Sequence, residues 1–251
     1  MSEVALIVNT IAKNSDIWPM FFGQLAVNIP SQFFANKYVF LDEKEELIPE
    51  DYTASIFSMR DKYRDQFLSC IDTVKEPYCI YISEDYVLYD KIQADLISGY
   101  KSVLEKEPDI SFVRLMRGGA YDLDWPRYKH YSDLHEISNF VPYFYSNQTS
   151  LWRTSDLKKI HKEGPNLHIA GLKMEEQFEP AATKTCQELG IRGLYCYHDE
   201  QKRGIYHYDS TVFPYIATAL VKGKWNLSEY PSELSSLLEC YQIDSSIRGA
   251  V

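Results

Sequence analysis

The chain has 251 residues, 45% of them hydrophobic, which is enough for one large domain with a real core and argues against global disorder. Its formal net charge is -10 with no basic stripe, so it lacks the positive surface that nucleic acid or an anionic membrane demands. Neither partner is expected, and no apolar run approaches membrane-spanning length.

Five cysteines occur, Cys70, Cys79, Cys186, Cys196 and Cys240, an odd number without a C-x-x-C pair. The apolar run at 4–8 is too short for a secretory leader, so these read as free thiols in a reducing compartment and the expected location is cytoplasmic. The 20 tyrosines suit half-buried sheets and stacking clefts, although ordinary packing accounts for most of them.

Residues 4–8 form a continuous apolar run that ends in Asn9 and Thr10, the pattern of a buried strand with a polar carboxyl end. A helix follows over 17–27, with Trp18, Phe21, Phe22 and Leu25 on one side. Residues 38–41 are a second strand ending at Asp42, and the charged stretch 44–53, with Pro49, is a loop. Ser58 caps a helix that continues to about residue 73. Residues 78–82 are a third strand, which runs straight into Ser83, Glu84 and Asp85.

Asp90 caps the next helix, with Ile92, Leu96, Tyr100 and Val103 facing inward. A fourth strand at 110–116 is followed by Arg117, Gly118 and Gly119. The stretch 120–139 has no strong period and reads as a long functional loop, with His130 and His135 badly spaced for one metal face. Residues 140–146 are strand-like, and Thr154 caps a short helix through 160. A helix over 175–189, a strand over 191–197 and a final helix over 231–241 complete the chain.

This alternation predicts an α/β fold with a mostly parallel central sheet flanked by helices. No repeat or linker divides the chain, so one domain is expected over 1–251, with 200–251 as a C-terminal extension. Gly118-Gly119 lacks the spacing of a dinucleotide fingerprint, and no G-x-S-x-G, P-loop or H-E-x-x-H occurs.

In open parallel sheets ligands collect beyond the carboxyl ends of the strands. The polar exits Asn9-Thr10, Asp42 and Ser83-Glu84-Asp85 would share that edge, although wet loops also favour polar residues there. Glu84 and Asp85 suit a hard divalent cation, Mn2+ or Mg2+, shared with phosphate oxygens. Arg60, Arg64, Arg114 and Arg117 are candidates to meet phosphates, and each also reads as a salt-bridge residue. Trp125, Tyr128, Tyr131 and Trp152 are candidates to stack on a sugar, with a core role equally open for Trp152.

The run from Arg64-Asp65-Gln66-Phe67-Leu68 through Glu76-Pro77-Tyr78-Cys79-Ile80-Tyr81-Ile82-Ser83-Glu84-Asp85-Tyr86 resembles the core of GT-A glycosyltransferases, where a helix leads to a strand ending in a D-x-D-type motif. Ser146–Arg153 resembles the acceptor-side segment of some members, and Lys173–Glu179 resembles their acidic helix start. The resemblance spans roughly residues 4–200. It implies sugar transfer from a nucleotide-sugar donor to a hydroxyl of a carbohydrate or glycan acceptor. Asn9, Thr10, Asp42, Arg60, Arg64 and Glu84 would hold the donor, and Asp85, Glu84 and a late histidine, His198, would hold Mn2+ or Mg2+. His207 has a standing similar to His198.

Glu176, then Glu179 and Glu175, are the candidates for the catalytic base, because a carboxylate at a helix start stays ionised; simple capping chemistry is the alternative. Ser83 departs from the motif, since it stands where the first Asp belongs. Three outcomes stay open: a weakly held metal, metal-independent activity, or lost activity. A nucleotide-sugar-binding module and an assembly protein on the same scaffold are the competing readings, and an oligomer is compatible with any of them.

Overall fold

The computed structural model describes residues 3–118, 125–166 and 174–251, the side chains of 174–177 excepted. The chain runs β1 (Val4–Asn9), α1 (Trp18–Asn28), β2 (Lys37–Leu41), β3 (Thr53–Ile56), α2 (Tyr63–Ile71), β4 (Tyr78–Ser83), β5 (Val87–Leu88), α3 (Ala94–Lys106), β6 (Phe112–Arg114), β7 (Leu134–Ile137), β8 (Ser150–Arg153), α4 (Thr154–Glu163) and α5 (Met174–Leu189). It continues with β9 (Gly193–Cys196), β10 (Lys202–Arg203), β11 (His207–Tyr208), β12 (Tyr215–Ile216), β13 (Leu220–Val221), β14 (Lys224–Trp225), α6 (Pro231–Cys240) and α7 (Ser245–Arg248).

Eight strands form one mixed sheet in the order β3-β2-β1-β4-β8-β6-β9-β7. Among the described residues β7 and β8 run against the other strands, so the sheet is mostly parallel. The apolar run of β1 is buried on both faces, as a central parallel strand requires. Val4, Leu6 and Val8 enter one core with α1, α3 and α6, while Ala5 and Ile7 enter the other with α2, α4 and α5. All five cysteines are free, and four of them are buried. Among the described residues no helix is long and apolar enough to cross a membrane.

Several sequence expectations shift for identifiable reasons. Ser58 does not cap α2; its Oγ accepts from the Arg60 N–H, and Gln66 Nε2 donates to the carbonyls of Ser58 and Asp61, which holds a separate turn before Tyr63. Asp90 does not cap α3, because the N–H groups of Ile92 and Gln93 bond to the carbonyls of Asn28 and Val212 and delay the helix to Ala94. Residues 140–146 are not a strand, since Pro142 lacks an N–H and Tyr143 has φ 59°.

Candidate active site

The parallel strands place their carboxyl ends on one edge of the sheet. Asn9 stands opposite Ser83 on β4 and Phe40 on β2 in the ladder. Thr10 is buried, donates its N–H to the Phe40 carbonyl at 3.0 Å, and accepts from Trp18 Nε1 at 2.9 Å through its hydroxyl. Asp42 Oδ1 accepts from the Ala12 N–H at 2.7 Å, so the loop after β1 is clipped to the exit of β2. These contacts bring Asn9, Thr10 and Asp42 together.

Beyond β4 the chain turns, with the Tyr86 N–H donating to the Ser83 carbonyl at 3.1 Å. Glu84 is buried, and its Oε1 accepts from Asn14 Nδ2 at 2.5 Å. The Asp85 carbonyl accepts from the Ala219 N–H at 2.8 Å, and β5 then pairs with β12. The acidic turn is thus held by the C-terminal segment.

Between this turn, the exit of β6 and the entry of β8 lies a cleft of about 620 Å³. Its wall includes Tyr86, Arg114, Ser146, Gln148, Glu179 and His207. Arg114 ends β6 and is buried at 6% exposure. Its Nη2 donates to the carbonyls of Tyr143 and Phe144 at 3.1 and 2.7 Å. Burial lowers its pKa to about 10, while the charges of Tyr215 and Glu179 oppose that shift. Tyr215 Oη donates to Gln148 Oε1 at 2.6 Å and fixes that amide in the wall. Glu179 Oε1 accepts from the Asn147 N–H at 2.6 Å.

His207 is buried and lies parallel to the Tyr230 ring, with centroids 5.8 Å apart. Its Nε2 is 3.6 Å from Glu229 Oε2, too long for a hydrogen bond. Burial pulls the imidazole pKa below its usual value, and the fields of Glu229 and Asp209 oppose this.

A second cleft of about 380 Å³ is lined by Arg117, Asp133, His135, Tyr197 and His198, among others. The Arg117 guanidinium sits over the rings of Tyr197 and Tyr208, 4.7 and 4.6 Å from their centroids. His198 Nε2 is 3.2 Å from Tyr100 Oη and 3.7 Å from Asp133.

Among solved structures the chain is similar to residues 1–349 of S. aureus TarS in complex with UDP-GlcNAc, at 14% identity and a TM-score of 0.52, covering 99% of this chain and 69% of that one. The same portion of S. aureus TarS in complex with UDP gives 12% identity and a TM-score of 0.50, covering 99% and 68%. Full S. aureus TarS gives 12% identity and 0.52, and the match spans 99% of this chain and 41% of that one. The chain has a GT-A-like fold. At these identities the likeness is one of fold alone. No family model and no curated protein matches the sequence.

On this GT-A-like scaffold the sequence-named residues fall into separate groups. Asn9, Thr10 and Asp42 sit together at the exits of β1 and β2, and Glu84 and Asp85 follow β4. Glu179 lies across the cleft on α5. Glu175 and Glu176 belong to the first turn of α5, but their side chains lie outside the described residues. Arg60 is exposed, and Arg64 donates to the Gly164 carbonyl at 3.3 Å and pairs with Asp65 at 3.7 Å, so neither lines either cleft.

The Glu84, Asp85 and His198 set is not assembled. β8 and β6 stand between β4 and β9, which separates the exits by about 14 Å at ~4.8 Å per strand. Among the described residues no three His, Cys, Asp or Glu side chains converge as metal ligands. The adjacent carboxylates of Glu84 and Asp85 suit only the sparser arrangement in which phosphate and water complete the shell.

Trp152 packs on Phe112, with centroids 4.3 Å apart, and is a core residue. Trp125 does line both clefts. Ser146 and Gln148 lie in the segment that resembles an acceptor side, so a signal for them existed. Tyr86 closes the run that resembles the D-x-D-type strand exit, whereas Asn226 and Glu229 carried no signal beyond residue type.

Proposed function

We propose that this protein is a glycosyltransferase that moves a sugar from a nucleotide-sugar donor to a hydroxyl of a carbohydrate or glycan acceptor. The observation that carries the reading is a carboxylate, Glu179, in the wall of a large cleft that opens beside the exit of β4 on a GT-A-like sheet. TarS, which shares this fold, is seen with UDP and with UDP-GlcNAc.

In this reading Asn9, Thr10 and Asp42 line the nucleotide end. The acceptor oxygen bonds to the sugar carbon, the bond to the diphosphate oxygen breaks, and Glu179 takes the hydroxyl proton. Glu176 and Glu175 are the alternative bases. Asp85, beside Glu84, would hold Mn2+ or Mg2+, which supplies charge neutralisation for the departing diphosphate. His198 has no part in this set.

Two observations favour the second reading, a nucleotide-sugar-binding module without efficient turnover. Ser83 replaces an acid of the motif and the Glu84 carboxylate is engaged by Asn14.

The test is a panel of UDP-, GDP-, CMP- and TDP-sugars with Mn2+ or Mg2+, scored for binding and for donor hydrolysis or transfer. Turnover that Glu179→Gln and Asp85→Asn abolish supports transfer. Donor binding without turnover selects the module, and no binding of any donor rejects both readings.

A further inference from the structure

Arg114 is a buried guanidinium for which no salt bridge is formed among the described residues, with the charge of Glu179 acting on it across the cleft. Its Nη2 is oriented by two backbone carbonyls, which are neutral. Its Nε is buried with no hydrogen-bond partner. Glu179 lines the same cleft and its charge acts favourably on the guanidinium, while its Oε1 accepts from the Asn147 N–H. A buried charge left in this state is costly, so it calls for a partner.

The surroundings point the same way. Ser146 Oγ and His207 Nε2 also lack hydrogen-bond partners though buried, and both residues line the cleft beside Arg114. Gly118 bridges His207 across an isolated backbone pair, and a Cβ at Gly118 would stand 3.1 Å from Arg114 Nη1. The glycine therefore leaves room beside the guanidinium, in a cleft that Ser146 and His207 also line. β8 separates β6 from β4, which puts the exit of β6 about 10 Å along the sheet from the acidic turn. The donor's diphosphate, placed at that turn, does not account for Arg114.

We infer that the Arg114 end of the cleft is an anion subsite, which takes a carboxylate or phosphate carried by the transferred sugar or by the acceptor. This rests on the transferase reading for the identity of the ligand. The guanidinium geometry suits either anion through charge-assisted hydrogen bonds, and Ser146 and His207 supply further donors.

The experiment titrates the full chain with two matched pairs, glucuronate against glucose and glycerol 3-phosphate against glycerol, by calorimetry without nucleotide. At least one acidic probe is expected to bind about tenfold or more tightly than its neutral partner. The glucuronate arm reports a carboxylate and the glycerol 3-phosphate arm a phosphate. Arg114→Met should remove the preference and Arg114→Lys should retain part of it. Equal affinity within both pairs overturns the proposal, as does a cooperatively melting Arg114→Met variant that keeps the preference. Where Arg114→Met does not fold, the wild-type comparison alone decides. UDP is titrated separately: failure to bind it counts against the donor reading, whereas the anion arms report on Arg114 whatever that result.

Discussion

Glu179 Oε1 accepts a 2.6 Å hydrogen bond from the backbone N–H of Asn147, which joins the second turn of α5 to the segment entering β8. The bond orients the carboxylate and ties it to the cleft wall. Glu179→Gln keeps an oxygen acceptor for Asn147 and removes the base of the proposed transfer. On the proposed function, sugar transfer should fall by about 10²–10⁴-fold with little change in melting temperature, as read by product formation beside a thermal melt.

Trp18 Nε1 donates to the buried Thr10 hydroxyl at 2.9 Å, across the start of the loop after β1. Thr10→Val keeps the shape and strands the indole N–H. Unfolding free energy should drop by about 1–3 kcal/mol, measured by urea denaturation. Thr10→Ser, which retains the acceptor, should lose less.

His161 is stacked on Phe67, with centroids 3.5 Å apart, and its Nε2 is 3.1 Å from Tyr145 Oη. Burial lowers its pKa from 6.5 to about 3. The unfolded chain therefore binds the proton more readily than the folded one. Stability is unaffected by this group above pH 6.5 and is lost as pH falls towards 3, by at most about 1.4 kcal/mol per pH unit. His161→Phe should flatten the stability slope below pH 6.5, followed by denaturant midpoints at successive pH values.

Gly193 faces Phe112 across the β6–β9 ladder, and a Cβ there would penetrate the Phe112 ring. Gly193→Ala should destabilise by about 1–3 kcal/mol through overpacking. Gly193→Ala combined with Phe112→Leu should recover part of the loss, as seen in a double-mutant cycle of unfolding midpoints.

The central strands were legible because burial on both faces leaves an unbroken apolar run, as in β1 and β4. β3 and β8 escaped notice because they are short, and β3 also because most of it is exposed. Each is four residues long, and Thr53, Ala54 and Ile56 of β3 are exposed at the edge of the sheet. Phe140 drew a strand assignment through its hydrophobicity yet is 82% exposed, because a turn around Pro142 and Tyr143 carries it outward. At the site, strand exits were readable as polar breaks after apolar runs. The environment of Arg114 was not, since its partners are the carbonyls of Tyr143 and Phe144, about thirty positions away, and carbonyls leave no mark in residue type.

The pairing of β5 with β12, with the Ala219 N–H bonded to the Asp85 carbonyl, also sets a schedule for assembly. A nascent chain can lay down β1, β2, β3 and β4 side by side long before residues 215–219 have been synthesised. The acidic turn then lacks its clasp until residues 215–219 have emerged. A chain not yet extended past residue 214 would hold all eight strands of its main sheet and an unclasped acidic turn, so the sheet precedes the finished turn in assembly.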